Sequence, residues 1–176
     1  MMRILILGPS ASGKTALAHY FQKKGKNSVD ADLAGIGIWK TKSGKVVKAP
    51  KGLGKKINQW AEQNNVLWVW DERKLKKLLS KNKELYLFGG ANNTYDFLEY
   101  FDRVYYLNAS NTLILKRLRK RLQDPKAYHQ YGKTKTQQEE ILKGIGVGRK
   151  KAKNAGLIFL PASSTPEKLF IRICKA

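Results

Sequence analysis

Three groups of residues in this chain have the types and the spacing to do chemistry together. The first is Gly8-Pro9-Ser10-Ala11-Ser12-Gly13-Lys14-Thr15, which satisfies the pattern G-x-x-x-x-G-K-[ST]. Glycines in such a loop let the backbone bend so that successive N–H groups face inward, and the helix that follows adds the positive end of its dipole. This arrangement suits phosphates. Gly8, Ser10, Ala11, Ser12, Gly13, Lys14, Thr15 and Ala16 are expected to wrap a nucleotide, with Lys14 at the β- and γ-phosphates and the Thr15 hydroxyl on magnesium. The second group is Asp30 and Asp32, at i and i+2, which an extended strand would place about 7 Å apart on one face. Phosphoryl transfer needs one carboxylate near a metal and another at an acceptor hydroxyl. The third is Arg117 and Arg121, one helical turn apart in the densest basic stretch, Lys116-Arg117-Leu118-Arg119-Lys120-Arg121.

Each group also has a plainer reading. A glycine-rich turn with a solvated lysine, two aspartates capping the turn after a strand, and a solvated basic helix face would require no ligand. Context favours the phosphate loop, because the apolar run Arg3-Ile4-Leu5-Ile6-Leu7 precedes it as a strand and a helical pattern follows. For the aspartates and the arginines, both readings stand.

The elements that must position these groups follow in order. A first helix over 16–24 carries Leu17 and Phe21 on one face and ends at Gly25. A second strand, 27–30, delivers the two aspartates. Residues 33–70 then form an insertion: no acidic residue lies between Asp32 and Glu62, seven lysines do, and Trp39, Trp60, Trp68 and Trp70 all fall in or at the edge of this segment. Within it, 42–45 reads as a turn and 66–70 as a strand. Trp39, close after Asp32, is the candidate for touching a substrate, while Trp60, Trp68 and Trp70 fit a small core of the insertion. Asp71 caps a helix bearing Leu75, Leu78 and Leu79. A third core strand over 84–88 closes on Gly89-Gly90; a short helix over 93–100, a fourth strand over 103–107 and a basic helix over 111–122 follow. The polar stretch 123–136, with Pro125 and Gly132, reads as a loop between helices. A helix interrupted by glycines over 137–155, a last strand over 157–160 and a helix from Pro166 complete the chain. Alternating strands and helices predict an α/β fold with a parallel sheet covered on both faces, in one domain over 1–176.

Composition bounds the rest. At 176 residues and 42% hydrophobic, the chain can bury a real core; no apolar run reaches the length of a membrane span, so no membrane partner is expected. The start, Met1-Met2-Arg3 leading directly into a strand, suggests no signal peptide and a cytoplasmic protein. A lone cysteine, Cys174, excludes a disulfide, and with His19 and His129 the only histidines, no histidine metal site is expected. The net charge of +22 attracts phosphates, nucleic acid or acidic surfaces without choosing among them, and a lysine-rich source proteome would produce it equally well.

The order of parts resembles the shikimate kinase, gluconate kinase and adenylate kinase group of small P-loop kinases, over nearly the whole chain. The resemblance rests on the P-loop, the Asp-x-Asp after the second strand, the Gly-Gly after the third, and the arginine-rich helix leading to a lid. It implies a three-layer P-loop fold with a five-stranded sheet in the order 2-3-1-4-5, an acceptor-binding insertion and a lid over 117–136. Carried onto this sequence, it implies that Lys14 and Thr15 hold phosphate and magnesium, Asp30 lies on the metal side, and Asp32 faces the acceptor hydroxyl. Gly89 and Gly90 would let the acceptor approach the backbone, and Arg117 and Arg121 would neutralise the transferred phosphoryl group. The adenine pocket would lie near 161–164. Two departures matter: no aspartate follows the third strand, and no arginine lies between Arg3 and Arg73 to clamp a carboxylate as shikimate kinase does. Shikimate itself is therefore not the expected acceptor.

The expectation is a monomeric ATP- and magnesium-dependent phosphotransferase acting on a small hydroxyl or phosphate acceptor, with nucleosides and nucleotides as candidates. The alternatives are a polynucleotide 5′-hydroxyl kinase and a nucleic-acid-binding NTPase module. The last draws on Gly144-Ile145-Gly146-Val147-Gly148, which resembles the glycine hairpin of helix-hairpin-helix DNA-binding motifs; otherwise these glycines predict a break or a hinge.

Overall fold

The computed structural model describes residues 2–52, 57–123 and 134–175. Five parallel strands form the central sheet: β1 (Met2–Leu7), β2 (Ser28–Asp30), β6 (Glu84–Phe88), β7 (Arg103–Asn108) and β8 (Ile158–Pro161), in the order β2-β6-β1-β7-β8. Counted among themselves, these strands run 2-3-1-4-5, the expected order. β1 is apolar without alternation because both of its faces are covered. Ile4 and Ile6 point into a cluster with Leu17, Phe21, Leu118 and Ile173, whereas Leu5 and Leu7 point into a second cluster with Leu75, Leu79 and Phe97. The first cluster is supplied by α1 (Lys14–Lys23), α4 (Asn111–Gln123), α5 (Lys135–Asn154) and α6 (Pro166–Lys175); the second by α3 (Glu72–Ser80) and a 3-10 helix, Thr94–Tyr100. Among the described residues, no helix is long and apolar enough to cross a membrane.

Between β2 and α3 lies a separate antiparallel sheet of β3 (Gly37–Thr41), β4 (Val46–Val47) and β5 (Val66–Trp70), with α2 (Ile57–Gln63) inserted before β5. The turn over 42–45 joins β3 to β4, closed by Thr41 N–H donating to the Lys45 carbonyl at 2.9 Å. Trp39 and Trp68 are direct cross-strand partners, and their rings meet at 5.1 Å; Trp60 from α2 joins Trp39 edge-on at 5.6 Å. The small core of this sheet is therefore Trp39, Trp60 and Trp68. Trp70 does not belong to it, because the last residue of β5 turns into the main core beside Leu75 and Leu87. Gly37 is required here by space: a Cβ at that position would collide with the Trp68 indole lying across it.

Side-chain amides fasten this sheet to the rest. Asn93 accepts from Trp70 N–H at 2.8 Å and donates to its carbonyl at 3.0 Å, standing in for a strand partner. Asn92 donates through both its backbone and its side chain to the Trp68 carbonyl. Asp71 caps α3 by accepting from Lys74 N–H at 3.0 Å, as its position predicts.

α5 corrects one expectation. It runs unbroken for 20 residues through Gly144, Gly146 and Gly148, so there is neither a break nor a glycine hairpin. Ile141, Ile145 and Ala152 are buried along it, and a Thr134–Gln137 capping box secures its start; packing and capping outweigh the poor helix propensity of three glycines. Most of the expected loop over 123–136, including Pro125, His129 and Gly132, lies outside the described residues, as do Lys55 and Lys56.

Candidate active site

The phosphate loop sits where β1 ends at the carboxyl edge of the sheet and α1 begins. Its backbone departs from ordinary conformations at Gly8 (φ 154°), Ala11 (φ 61°) and Gly13 (φ 103°). A Cβ on Gly8 would meet the Ser12 hydroxyl at 2.8 Å and Leu107 at 3.0 Å, and one on Gly13 would press on the Arg117 guanidinium at 3.2 Å. Ala11 holds a left-handed conformation that costs a residue with a side chain about 1 kcal/mol or more. Such strain at a loop of this pattern goes with a bound anion rather than with a passive turn.

Lys14 folds back over the loop, its ammonium donating to the Gly8 carbonyl at 2.7 Å and the Pro9 carbonyl at 2.9 Å. Desolvation pushes its pKa down to about 8; the Asp32 and Asp30 carboxylates pull it up, and the Arg121 guanidinium lowers it further. The Ser12 hydroxyl is buried with no hydrogen-bond partner. An ammonium held by carbonyls and an orphaned hydroxyl in a strained loop are groups awaiting phosphate oxygens, so the residues fit a nucleotide. The Thr15 hydroxyl donates to Asp30 at 3.4 Å, which puts one neutral and one anionic oxygen donor together, a pair suited to magnesium completed by phosphate and water.

The two aspartates are not arranged as a strand would place them. β2 ends at Asp30, and the chain turns at once, with Leu33 N–H and Ala34 N–H both donating to the Asp30 carbonyl. Asp30 caps this turn by accepting from Asp32 N–H at 3.0 Å. The turn replaces the expected i, i+2 alternation, yet both carboxylates line the same cavity. Asp30 therefore holds the turn and meets the Thr15 hydroxyl at once, while Asp32 stands exposed at the cavity edge.

That cavity has a volume of about 1110 Å³, above the range of a single small-ligand pocket and sufficient for two substrates side by side. It collects the expected Gly8, Ser10, Ala11, Ser12, Gly13, Lys14, Thr15, Ala16, Asp30, Asp32, Trp39, Gly89, Gly90, Arg117 and Arg121. Gly89 has a structural reason of its own: at φ 135°, a Cβ would lie 2.9 Å from that of Ala31. Trp68, Asn92, Tyr95 and Lys151 also line it and went unrecognised in the sequence. Trp68 could have been found from its antiparallel pairing with Trp39 had β3 been read as a strand; Lys151 is one of many helix lysines and carried no signal.

Arg117 and Arg121 share one face of α4, but their surroundings differ. Arg117 donates to the carbonyls of Ala11 (3.2 Å), Ser12 and, from its other terminal nitrogen, Ala162 (2.8 Å). It ties the phosphate loop to the turn after β8. Burial lowers the pKa of both guanidinium groups. The 161–164 turn expected at adenine is not among the walls of the cavity; Ala162 is buried in the core instead.

Comparison with known proteins sorts these features. A family profile described as an AAA domain matches residues 4–143, most of the chain. The chain belongs to the AAA_18 family of AAA domains. No curated protein matches this AAA domain by sequence. Among solved structures, a shikimate kinase from Acinetobacter baumannii in complex with shikimate is similar, at 16% identity and a TM-score of 0.58 over 99% of this chain and 94% of that one. A gluconokinase from Sinorhizobium meliloti matches at 11% identity and a TM-score of 0.51 over 95% and 86%. A deoxyadenosine kinase from M. mycoides, with the products dCMP and dCDP bound, matches at 16% identity and 0.51 over 99% and 97%. The fold is thus that of the small P-loop kinases, as the order of motifs implied.

Proposed function

We propose that this AAA domain is an ATP- and magnesium-dependent phosphotransferase, moving the γ-phosphoryl group to a small hydroxyl or phosphate acceptor, with nucleosides and nucleotides as the candidate class. The observation that carries this reading is convergence. A strained phosphate loop, two carboxylates, two arginines and a tryptophan wall open into one cavity. A simple nucleotide-binding module would need only the first of these.

In this reading Lys14, Ser12 and the loop backbone hold the donor phosphates. Thr15 and Asp30 would hold magnesium, which supplies neutralising charge to the phosphates when bound. Asp32 accepts the proton of the acceptor hydroxyl as its oxygen bonds to the γ-phosphorus and the bond from that phosphorus to the bridging oxygen breaks, releasing ADP. Arg121 stabilises the spread negative charge. Arg117 acts through the backbone it holds, as a brace and not as a phosphoryl ligand, because its terminal nitrogens are already engaged with carbonyls. Trp39 and Trp68 offer ring faces to a flat acceptor, and Lys151 a cation to an anionic one.

The test is transfer of label from γ-labelled ATP to a panel of nucleosides, nucleoside monophosphates, sugar acids and 5′-hydroxyl oligonucleotides. Label on one small molecule is the expected result, and Asp32→Ala should abolish it while leaving ATP binding within about twofold. Transfer surviving in Asp32→Ala would refute the role of that carboxylate, and label on oligonucleotides alone would refute the small acceptor.

A further inference from the structure

β5 is an edge of the tryptophan sheet, since the order β4-β3-β5 leaves one of its sides without a strand. Two asparagines that follow β6 cover that side, and they spend their amides differently. Asn93 uses both ends: its oxygen accepts from Trp70 N–H and its nitrogen donates to the Trp70 carbonyl. Asn92 uses one. Its backbone N–H, at 2.9 Å, and its side-chain nitrogen, at 3.0 Å, both donate to the Trp68 carbonyl, and no described residue donates to its side-chain oxygen. Closing a strand edge therefore accounts for the whole of Asn93 and for half of Asn92.

The unspent half belongs to the main cavity, where Asn92 is exposed in the wall that also carries Trp39, Trp68, Tyr95 and Lys151. A side-chain amide has two unlike ends, and the carbonyl at 3.0 Å settles which one meets it. Only the nitrogen can donate there, so the oxygen is the end left for a ligand. This held orientation sets Asn92 apart from its polar neighbours. The Tyr95 hydroxyl rotates to donate or accept and the Lys151 ammonium donates in any direction, so neither fixes one hydrogen-bonding sense in one place. A held amide oxygen does: it welcomes an N–H or O–H and repels a lone pair. The carbonyl that Asn92 grips is that of Trp68, whose side chain is on the same wall, so a flat molecule against the tryptophans brings its edge within reach of the amide.

We propose that Asn92 selects the phosphoryl acceptor by its ring edge: the acceptor is a nucleoside whose base lies against Trp39 and Trp68 and donates an amino N–H to the Asn92 side-chain oxygen. The inference rests on the phosphotransferase reading and narrows its acceptor to amino-bearing bases such as adenine and cytosine. The reacting hydroxyl stays with Asp32, as that reading places it.

Adenosine and cytidine test this against purine riboside and pyrimidin-2-one riboside, which lack only the amino group. One measurement is γ-phosphoryl transfer. The other is calorimetric binding of each nucleoside to protein saturated with a non-hydrolysable ATP analogue, which needs no turnover. Wild-type protein should bind and phosphorylate at least one amino-bearing nucleoside, with kcat/KM and affinity about fivefold above its counterpart, the worth of one hydrogen bond made in exchange for water. Asn92→Ala should bring the two members of that pair within about twofold by weakening only the amino-bearing one. Asn93→Ala, which removes the saturated amide, should lower the melting temperature and keep the preference. A ratio within a pair cancels any general loosening of the tryptophan sheet, so a merely structural role for Asn92 would not move it. Pairs bound alike by the wild type overturn the proposal, as does a preference that survives Asn92→Ala or is lost equally in Asn93→Ala; transfer to either member then leaves the kinase reading standing. A binding preference removed by Asn92→Ala, with no transfer to any nucleoside, keeps the reader and overturns the kinase reading. Absence of nucleoside binding overturns the proposal, and gluconate and glycerol in the same transfer assay then decide the kinase reading: label on either retains it and label on neither overturns it.

Discussion

The depressed pKa of Lys14 makes nucleotide affinity depend on pH in a direction that can be worked out in advance. In the nucleotide-free fold the ammonium gives up its proton near pH 8, chiefly because it is desolvated, even though Asp32 and Asp30 oppose the shift. Phosphate oxygens beside it favour the charged form, so the bound state keeps the proton to higher pH. Binding above pH 8 must therefore take up a proton, and affinity falls as pH rises. With the free-state value near 8, about ten in eleven molecules are protonated at pH 7 and about one in eleven at pH 9, which weakens the apparent Kd about tenfold, or ~1.4 kcal/mol. The fold itself responds with the opposite sign. An unfolded lysine retains its proton up to its ordinary 10.5, so the Lys14 contribution to stability rises with pH between about 8 and 10.5. Isothermal titration of a non-hydrolysable ATP analogue at pH 7, 8 and 9, in two buffers of different ionisation enthalpy, reads both Kd and proton uptake. Lys14→Arg, charged throughout, should lose the pH dependence. A Kd that stays flat from pH 7 to 9 in the wild type, with binding still lost in Lys14→Met, would refute the argument.

Other substitutions separate the site from its supports. Arg117→Ala should raise the KM for ATP tenfold or more and lower the melting temperature, because charge-assisted hydrogen bonds to three carbonyls are lost at about 1.5–3 kcal/mol for the strongest; Arg117→Lys, which lacks the planar fork, should rescue little, as steady-state kinetics and thermal melts will show. Gly37→Ala should cost about 1–3 kcal/mol in denaturant unfolding by driving the Trp68 ring off the strand, with a raised acceptor KM and little change in ATP binding. Asp71→Ala should cost about 1 kcal/mol through loss of the α3 cap and leave the kinetics near wild type, a control for stability alone.

What was legible in the sequence was what depends on neighbours along the chain. The phosphate loop declares itself because strand, bend and helix are consecutive. The strand at Glu84–Phe88 carries a continuous apolar run buried on both faces, and the helix at Pro166–Lys175 shows the periodicity of its own burial through Leu169 and Ile173. The Asp71 cap is likewise a matter of local spacing. What stayed hidden depends on residues far apart in number. Arg117 reaches Ser12 across a separation of 105 residues, so its basic neighbourhood suggested phosphate when its position in space supplied carbonyls. β3 carries Trp39 and Lys40 beside Gly37, and only its pairing with β5 and β4 makes it a strand. α5 looked broken because glycine propensity is a local quantity, whereas Ile141 and Ile145 draw the helix onto a core assembled from the rest of the chain. The strand ends at Asp30 as expected, but the extended i, i+2 spacing of the two carboxylates does not survive beyond it, because Asp30 accepts from the N–H two residues on and turns the chain at once.

The paired asparagines after β6 have a bearing on how such a chamber could discriminate. Asn93 makes a two-way amide bridge to Trp70, and Asn92 holds the Trp68 carbonyl from two donors, so the tryptophan sheet and the Gly89-Gly90-Ala91 floor form one stiff corner. A corner fixed at two successive residues does not swing as a flap. Its shape is set before any guest arrives, and a molecule is accepted or refused on fit, with little ordering entropy left to lose on entry. Selection of this kind would make the acceptor side a template cast in advance, so that a change of guest calls for altered side chains on the corner and not for a different motion.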